Sequence, residues 1–168
     1  MKKLFLGARY KVQHKDINPN NVNEMLKDDI RSKLFDGYPQ AWVYPSNLNI
    51  PGTDIRYVGG FYYEPGDGSQ YSIVNSEMDE IDKADIVCLD FTKPSAIATI
   101  AELFYALKQN KEIHIFIDPL LTNDKITSEY WFIFYTMDRM YGEDYVPSNV
   151  TRHFVHSEEE IIEIIKSL

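Results

Sequence analysis

Residues 86–91 read Ile-Val-Cys-Leu-Asp-Phe, a run that is apolar except for Asp90 near its end. Such a run is typical of a central parallel strand, because helices cover both faces of that kind of strand. On either side of it, short strand-like runs alternate with longer stretches of helical periodicity. The alternation predicts an α/β fold, a three-layer sandwich with a parallel flavodoxin-like or Rossmann-like sheet of about five strands.

The same alternation predicts where the individual elements lie. Strands are expected at 3–6, 41–44, 86–91, 112–117 and 153–155, and helices at 20–35, 73–83, 95–109, 129–141 and 158–168. Residues 56–63 are β-rich but contain Gly59-Gly60, which fits either a bulged strand or a loop. Ser157 and Glu160 have the spacing of a capping box for the last helix.

The composition is that of an ordinary globular domain. The chain has 168 residues, of which 44% are apolar and 26% are charged, so we predict one domain over residues 1–168. The net charge of −9 gives an acidic surface that repels phosphate backbones, which argues against a nucleic-acid partner. No apolar run is long enough to cross a bilayer, and the lone Cys88 cannot form an internal disulfide. We therefore expect a cytoplasmic protein that has no membrane partner.

Three segments are expected to converge beyond the carboxyl ends of the strands, where doubly wound sheets bind their ligands. They are Gly7 to Tyr10, residues 56–69, and Asp90 to Ser95. Free N–H groups at the start of the helix near Ser95 favour an anion such as a phosphate or a carboxylate. The second turn of that helix places Glu102 inward; it could be a surface helix residue, but its neighbours are mostly apolar, and a charge embedded there calls for a reason.

Four short segments follow one another in a recognisable order. They are Phe5-Leu6-Gly7-Ala8, Tyr57-Val58-Gly59-Gly60-Phe61, residues 78–87 (MDEIDKADIV) and residues 98–106 (ATIAELFYA). In this order they resemble the nucleoside 2-deoxyribosyltransferase family, and the resemblance covers about residues 3–118. Thr92-Lys93-Pro94-Ser95 also resembles the phosphate-holding loop of the related 2′-deoxynucleoside 5′-phosphate N-hydrolases.

The resemblance implies cleavage of an N-glycosidic bond. In that family a glutamate, here Glu102, attacks the anomeric carbon of a 2′-deoxynucleoside, while a second acid, here Glu77, helps the base to depart. The chemistry agrees with this division, because an oxocarbenium-like sugar needs a carboxylate nearby and a leaving base needs a proton donor. We therefore predict transfer of the deoxyribosyl group to another base through a covalent intermediate on Glu102.

Two other functions remain open. Ser95 and Arg9 favour a hydrolase of 2′-deoxynucleoside 5′-monophosphates, because they suit a phosphate site. Phe5 and Ile97 favour a nucleotide-binding or sensing domain without catalysis. Phe5 stands where the resembled family has a tyrosine whose hydroxyl orients the nucleophile.

The candidate substrate-binding residues lie in the family-like motifs and the convergent segments. They are Phe5, Gly7, Arg9, Tyr10, Gly59, Phe61, Asp67, Asp90, Ser95 and Thr99. Some of them have a plain structural alternative: Ser95 also fits a helix N-cap, and Gly59 also fits a tight turn. Of the four acids Glu77, Asp79, Glu80 and Asp82, at least two are expected to be merely solvated, and spacing favours Glu77 as the functional one.

Neither a metal nor another cofactor is expected, because His153 and His156 have no third ligand near them in the sequence. The expected partners are a small nucleoside or nucleotide and a free base. The aromatic stripe between Trp131 and Met140 is wider than one core-facing stripe, which favours a part in the core together with a subunit interface. Members of the resembled family form dimers or hexamers, so we predict a homo-oligomer, a dimer or higher.

Overall fold

A computed structural model describes residues 1–9, 24, 26–36, 48–60, 69–94, 96–122, 130–142 and 147–168. In these residues one six-stranded sheet has the order β2-β3-β1-β4-β5-β6. Its strands are β1 (Lys2–Gly7), β2 (Leu48–Asn49), β3 (Ile55–Gly59), β4 (Ile86–Phe91), β5 (Glu112–Ile117) and β6 (Val150–Phe154). All neighbouring strands pair in parallel except β2 and β3.

Helices cover both faces of this sheet. They are α1 (Ile30–Leu34), α2 (Gln70–Lys83), α3 (Ile97–Lys108), α4 (Pro119–Thr122), α5 (Trp131–Tyr141) and α6 (Glu158–Ser167). One core cluster joins the sheet to α1 and α6, and a second joins the opposite face to α2, α3 and α5. The three-layer α/β sandwich is therefore confirmed, and the five parallel strands have the flavodoxin-like order.

The two most apolar strands were predicted at their observed bounds. Strands β4 and β5 occupy residues 86–91 and 112–117, as their unbroken apolar runs indicated. The β-rich segment with two glycines is a bulged strand that ends at Gly59, since the β1–β3 register shifts between Leu4 and Phe5. Strand β2 was not among the predicted strands, and the expected strand at 41–44 lies outside the described residues.

The prediction of one continuous helix over 20–35 is wrong. Residues 27–29 form a turn and a bend, and α1 begins anew at Ile30. Asp29 caps it, because its carboxylate accepts a hydrogen bond from the backbone N–H of Arg31 at 3.0 Å. An aspartate that accepts from its neighbouring backbone competes with helix continuation, which explains the break.

Caps also decide where two other helices begin. Ser69 accepts from the N–H of Ser72 and starts α2 at Gln70 rather than at the predicted Ile73. At α6 the predicted cap is confirmed, since Ser157 accepts from the N–H of Glu160. The Glu160 carboxylate reaches back one residue beyond the cap, to the N–H of His156 at 2.9 Å. Among the helices in the described part of the chain, none is long and apolar enough to cross a membrane.

The order of the parallel strands decides where a ligand can bind. The chain moves from β1 to β3 on one side and then returns across β1 to β4, so the order reverses between β1 and β4. In open α/β sheets the ligand crevice lies outside the carboxyl ends of the strands at such a reversal. Gly7 and Leu89 are partners there, near the ends of β1 and β4.

Candidate active site

The carboxylate of Glu102 lies at this reversal point. Glu102 is in the second turn of α3 and is only 5% exposed. A Cβ added to Gly7 would overlap its Oε2, and it would stand 3.0 Å from Cδ. The glycine therefore leaves the space that the carboxylate occupies, and α3 sets Glu102 directly against the end of β1.

Thr99 shares this face of α3. It lies one turn nearer the start of the helix and is buried. Side chains three residues apart on a helix are neighbours, so Thr99 lies beside Glu102 on the crevice side. The structure thus brings together two of the residues that the sequence singled out.

The loop that leads into α3 is held by a residue that sequence analysis missed. The hydroxyl of the buried Tyr130 accepts a hydrogen bond from the N–H of Ala96 at 2.9 Å and donates one to the carbonyl of Lys93. Ala96 is the N-cap and has no side chain that can cap. Ser95, the expected cap or phosphate ligand, lies outside the described residues. Tyr130 therefore provides a hydrogen bond at the start of α3, which a capping side chain at Ser95 was expected to provide.

A second buried carboxylate, Glu80, lies on the same face of the sheet. It is fully buried on α2, and its Oε2 accepts from the N–H of Gly60 at 2.9 Å. A Cβ on Gly59 would lie 2.5 Å from the Cβ of Glu80 and 2.5 Å from Cδ2 of Phe5. Glu80 thus fills the space beside Gly59 as Glu102 fills the space beside Gly7. No sequence pattern distinguished it from its acidic neighbours, because its burial follows from how α2 packs.

Glu77 lies one turn before Glu80 on α2 and is partly buried. Burial raises the pKa of its carboxyl group, and the positive charge of Arg31 opposes that rise. Asp79 and Asp82 are exposed, as expected for at least two of the four acids. A carboxyl group with a raised pKa holds its proton nearer to neutral pH, which suits a proton donor.

Arg31 is the buried cation of this region, and sequence analysis missed it as well. Its Nε donates to the carbonyl of Gly60 at 2.5 Å, and its Nη2 donates to the carbonyl of Ala8 at 2.8 Å. Its Nη1 lies 3.2 Å from Oδ1 of Asp29. Arg31 therefore joins the ends of β1 and β3 from the face opposite Glu102.

Asp90 lies near the end of β4 on that opposite face. Strand alternation puts it on the side of Cys88, which packs towards α1 and α6. Burial raises the pKa of the Asp90 carboxyl group, although hydrogen bonds from the N–H and hydroxyl of Thr92 oppose this. The sheet therefore separates Asp90 from Glu102, so the two carboxylates do not line the same side of the crevice.

The other predicted residues fall into three groups. Phe5 of β1 is fully buried in the core cluster that faces α2 and α3, and its ring lies against Gly59. Arg9 is exposed, and its Nη1 donates to the carbonyl of Pro94 at 2.9 Å, so it bridges two of the convergent segments. The remaining candidates lie outside the described residues: Tyr10, Phe61, Asp67 and Ser95.

The described part of the site contains acids and one buried cation but no arrangement for a metal. No group of three or more His, Cys, Asp or Glu side chains in the described ranges is placed to hold a metal ion. The chemistry within reach is that of carboxylates: attack on an electrophilic carbon, stabilisation of positive charge, and proton transfer.

Comparisons with known proteins bear on the fold. No protein-family model matches the sequence, and no curated protein matches it. The structure is similar to that of a CMP N-glycosidase, BcmB, from Clostridium botulinum. The TM-score is 0.51 at 13% identity, over 99% of this chain and 100% of that chain. At this identity the likeness is one of fold.

Proposed function

We propose that this protein cleaves the N-glycosidic bond of a nucleoside 5′-monophosphate or nucleoside, with Glu102 as the group that meets the sugar. The observation that carries the proposal is the buried Glu102 carboxylate packed on Gly7 at the reversal of strand order. A carboxylate held at that point faces the crevice where an α/β sheet of this kind binds its ligand. The shared fold with a CMP N-glycosidase makes this chemistry the first to test.

The reaction has two steps. An oxygen of the Glu102 carboxylate bonds to C1′ of the sugar while the C1′–N bond breaks, and that electron pair goes to the base. The base takes a proton from the carboxyl group of Glu77, whose pKa burial raises. A water molecule then bonds to C1′ and gives a proton to Glu77, and Glu102 leaves as a carboxylate.

The acceptor in the second step decides whether the enzyme is a hydrolase or a transferase. A free base in place of water would give a new nucleoside, as the family resemblance implies. The N-glycosidase of similar fold favours water, and we propose hydrolysis as the main reaction. Arg9 joins the end of β1 to the loop after β4, and its charge there supports a phosphorylated substrate.

A product assay tests the proposal. The protein is incubated with ribo- and 2′-deoxynucleoside 5′-monophosphates and with the matching nucleosides, with and without a second base. Chromatography then separates the products. Free base together with sugar phosphate from a nucleotide, or with free sugar from a nucleoside, indicates hydrolysis, and a new nucleoside or nucleotide indicates transfer.

The variant Glu102→Gln makes the assay specific to this site. Glutamine keeps the size of the side chain and removes the charge that attacks C1′, so turnover should fall by at least about a hundredfold while nucleotide binding persists. Glu163→Gln, which removes an exposed carboxylate on α6, is the matched control and should keep wild-type turnover. Turnover by Glu102→Gln at the wild-type rate would overturn the proposed role.

Phe5 favours a second candidate, a nucleotide-binding domain without turnover. It provides no hydroxyl at the position where the resembled family has a tyrosine, and it is fully buried. Calorimetric binding of a nucleoside 5′-monophosphate with no product from any substrate would support this candidate over the first.

A further inference from the structure

The buried side chain of Arg31 makes an unusual set of contacts at the crevice. It is 3% exposed, and its guanidinium donates to three backbone carbonyls, those of Gly60, Ala8 and Leu6. The distances are 2.5, 2.8 and 3.4 Å, in that order. One side chain from α1 therefore holds the carboxyl ends of both β1 and β3.

Two of these carbonyls belong to Leu6 and Ala8, the neighbours of Gly7, against which Glu102 packs. Leu6 and Ala8 belong to the core cluster on the α1 face, while Gly7, between them, is covered by Glu102 from the α3 face. Arg31 thus fixes, from the α1 face of the sheet, the short stretch of backbone that Glu102 contacts from the α3 face. A shift of this stretch would change the space that the Glu102 carboxylate occupies.

The third carbonyl belongs to Gly60, whose peptide groups are held from both faces. Its carbonyl also accepts from the hydroxyl of Tyr57 at 2.8 Å, and its N–H donates to Glu80 at 2.9 Å. Gly60 has a φ of +79°, and an added Cβ would lie 2.9 Å from the carbonyl carbon of Leu6. Only glycine fits this turn without strain, and the turn packs directly on β1.

A contribution to stability alone does not explain why a guanidinium is buried at this position. Taking a cation out of water is costly, and an apolar side chain of similar volume often stabilises a core as well or better. The planar, forked guanidinium is suited to holding several acceptors in one geometry, which an ammonium cannot do. The contacts of Arg31 therefore indicate a role in geometry.

We propose that Arg31 is a positioning residue for Glu102: it fixes the Leu6–Gly7–Ala8 backbone and the Gly60 turn so that Glu102 meets the sugar at the productive distance. The proposal rests on the proposed glycosidase function, because it assigns Arg31 a part in that reaction. Misplacing a reacting group by about 1 Å can cost roughly a hundredfold in rate.

Two variants of Arg31 and one control test it. Arg31→Met removes both the fork and the charge, and Arg31→Lys keeps the charge but removes the fork. Arg152→Met is the matched control: Arg152 also bonds an acid, Asp138, at 3.0 Å, but it lies on β6, three strands from β1 or about 14 Å. Thermal unfolding of each variant gives the folded fraction, to which every rate is normalised.

The first readout separates turnover from binding. For Arg31→Met we expect kcat to fall about a hundredfold, while the Kd for a nucleoside 5′-monophosphate, measured by calorimetry, changes less than about threefold. Arg31→Lys should lose a similar factor, because it lacks the fork. Arg152→Met should lower Tm and leave kcat unchanged. Wild-type kcat in either folded Arg31 variant, or an equal fall in Arg152→Met, would overturn the proposal.

The second readout does not need turnover. The ¹³C resonance of the Glu102 carboxyl carbon reports the surroundings of that group even if the protein proves to have no glycosidase activity. It should move in both Arg31 variants and stay in place in Arg152→Met. If Arg31→Met does not fold, Arg31→Lys decides the question. An unmoved Glu102 resonance in a folded Arg31 variant would overturn the positioning role, whereas absent wild-type turnover would overturn only the proposed function.

Discussion

The carboxylate of Glu102 occupies the space that a side chain at position 7 would take. Oε2 of Glu102 would overlap a Cβ on Gly7, so the two residues are complementary in shape: one lacks a side chain and the other fills the gap. They come from β1 and α3, far apart in sequence. Their contact places an acid against the strand end where the strand order reverses.

Substituting Gly7 with alanine should displace Glu102. The new Cβ would overlap the carboxylate and stand 2.8 Å from Cδ2 of Leu89, and overpacking of this kind costs about 1–3 kcal/mol. We expect reduced stability and a fall in turnover per folded molecule of at least about tenfold. Gly52→Ala is the control, because Gly52 has a φ of +79° that strains alanine while no other atom lies within 4 Å, so it should lower stability with little effect on turnover. Equal losses of turnover in both variants would contradict a special role for Gly7.

Substituting Tyr130 with phenylalanine should loosen the loop before α3. The change removes the acceptor of the Ala96 N–H and the donor to the Lys93 carbonyl, and it leaves a buried N–H without this partner. The expected loss in the free energy of unfolding is about 1–3 kcal/mol, measured by urea titration. Tyr141→Phe, at the other end of α5, should change it by less than about 0.5 kcal/mol. A loss of less than about 0.5 kcal/mol in Tyr130→Phe would mean that the loop before α3 keeps its position without the hydroxyl.

The pair of histidines on β5 and β6 should make stability depend on pH. Nδ1 of His114 lies 2.9 Å from Nε2 of His153, and burial together with His114 lowers the pKa of His153 below its ordinary value of 6.5. The unfolded chain therefore binds a proton that folded His153 resists. The stabilisation is fully present above pH 6.5 and is lost as the pH falls below that value.

Urea unfolding between about pH 7.5 and about pH 5 checks this expectation. The free energy of unfolding should fall more steeply towards low pH in the wild type than in His153→Gln. His156→Gln, which changes an exposed histidine after β6, should keep the wild-type slope. Parallel slopes in the wild type and His153→Gln would remove the histidine pair as the cause.

Substituting Asp90 with asparagine should stabilise the protein at neutral pH. Burial raises the pKa of this carboxyl group above 3.8, so its ionised form costs stability at any pH where it carries a charge. Asparagine removes the charge and can still accept from the N–H and hydroxyl of Thr92. The gain in the free energy of unfolding should shrink as the pH falls and vanish below 3.8, where the carboxyl group of Asp90 is neutral in both the folded and the unfolded chain. A loss of stability at pH 7 would show that contacts to the carboxylate outweigh its burial.

Much of the fold was predictable from local patterns. The unbroken apolar runs at 86–91 and 112–117 mark strands buried on both faces, and the capping spacing of Ser157 and Glu160 marks the start of α6. Patterns of this kind depend on neighbours in the chain, so they are legible without a structure. The break before α1 was missed, because helical spacing continues through Asp29 although its side chain caps a new helix.

The candidate site likewise contains residues whose burial the sequence predicted and residues whose burial it did not. The burial of Glu102 followed from its apolar neighbours on one helix, and the structure places it against Gly7. Glu80 and Glu77 lie three residues apart on one helix, and their sequence context does not say which of them is fully buried. That depends on the Gly59–Gly60 turn, which meets α2 only in the folded chain.

The sequence by itself determined the alternation of strands and helices, and with it the sheet and the end of the sheet at which folds of this class bind their ligands. Only the tertiary structure decided which side chains meet there. Arg31 joins carbonyls of two strands, Tyr130 bridges α5 to the loop before α3, and the sheet separates Asp90 from Glu102. The physical reason is the separation along the chain. Periodicity and capping depend on residues a few positions apart, whereas the hydrogen bonds of Arg31 and Tyr130 join residues 23 to 37 positions apart. Whether such residues meet depends on how all the layers of the fold pack.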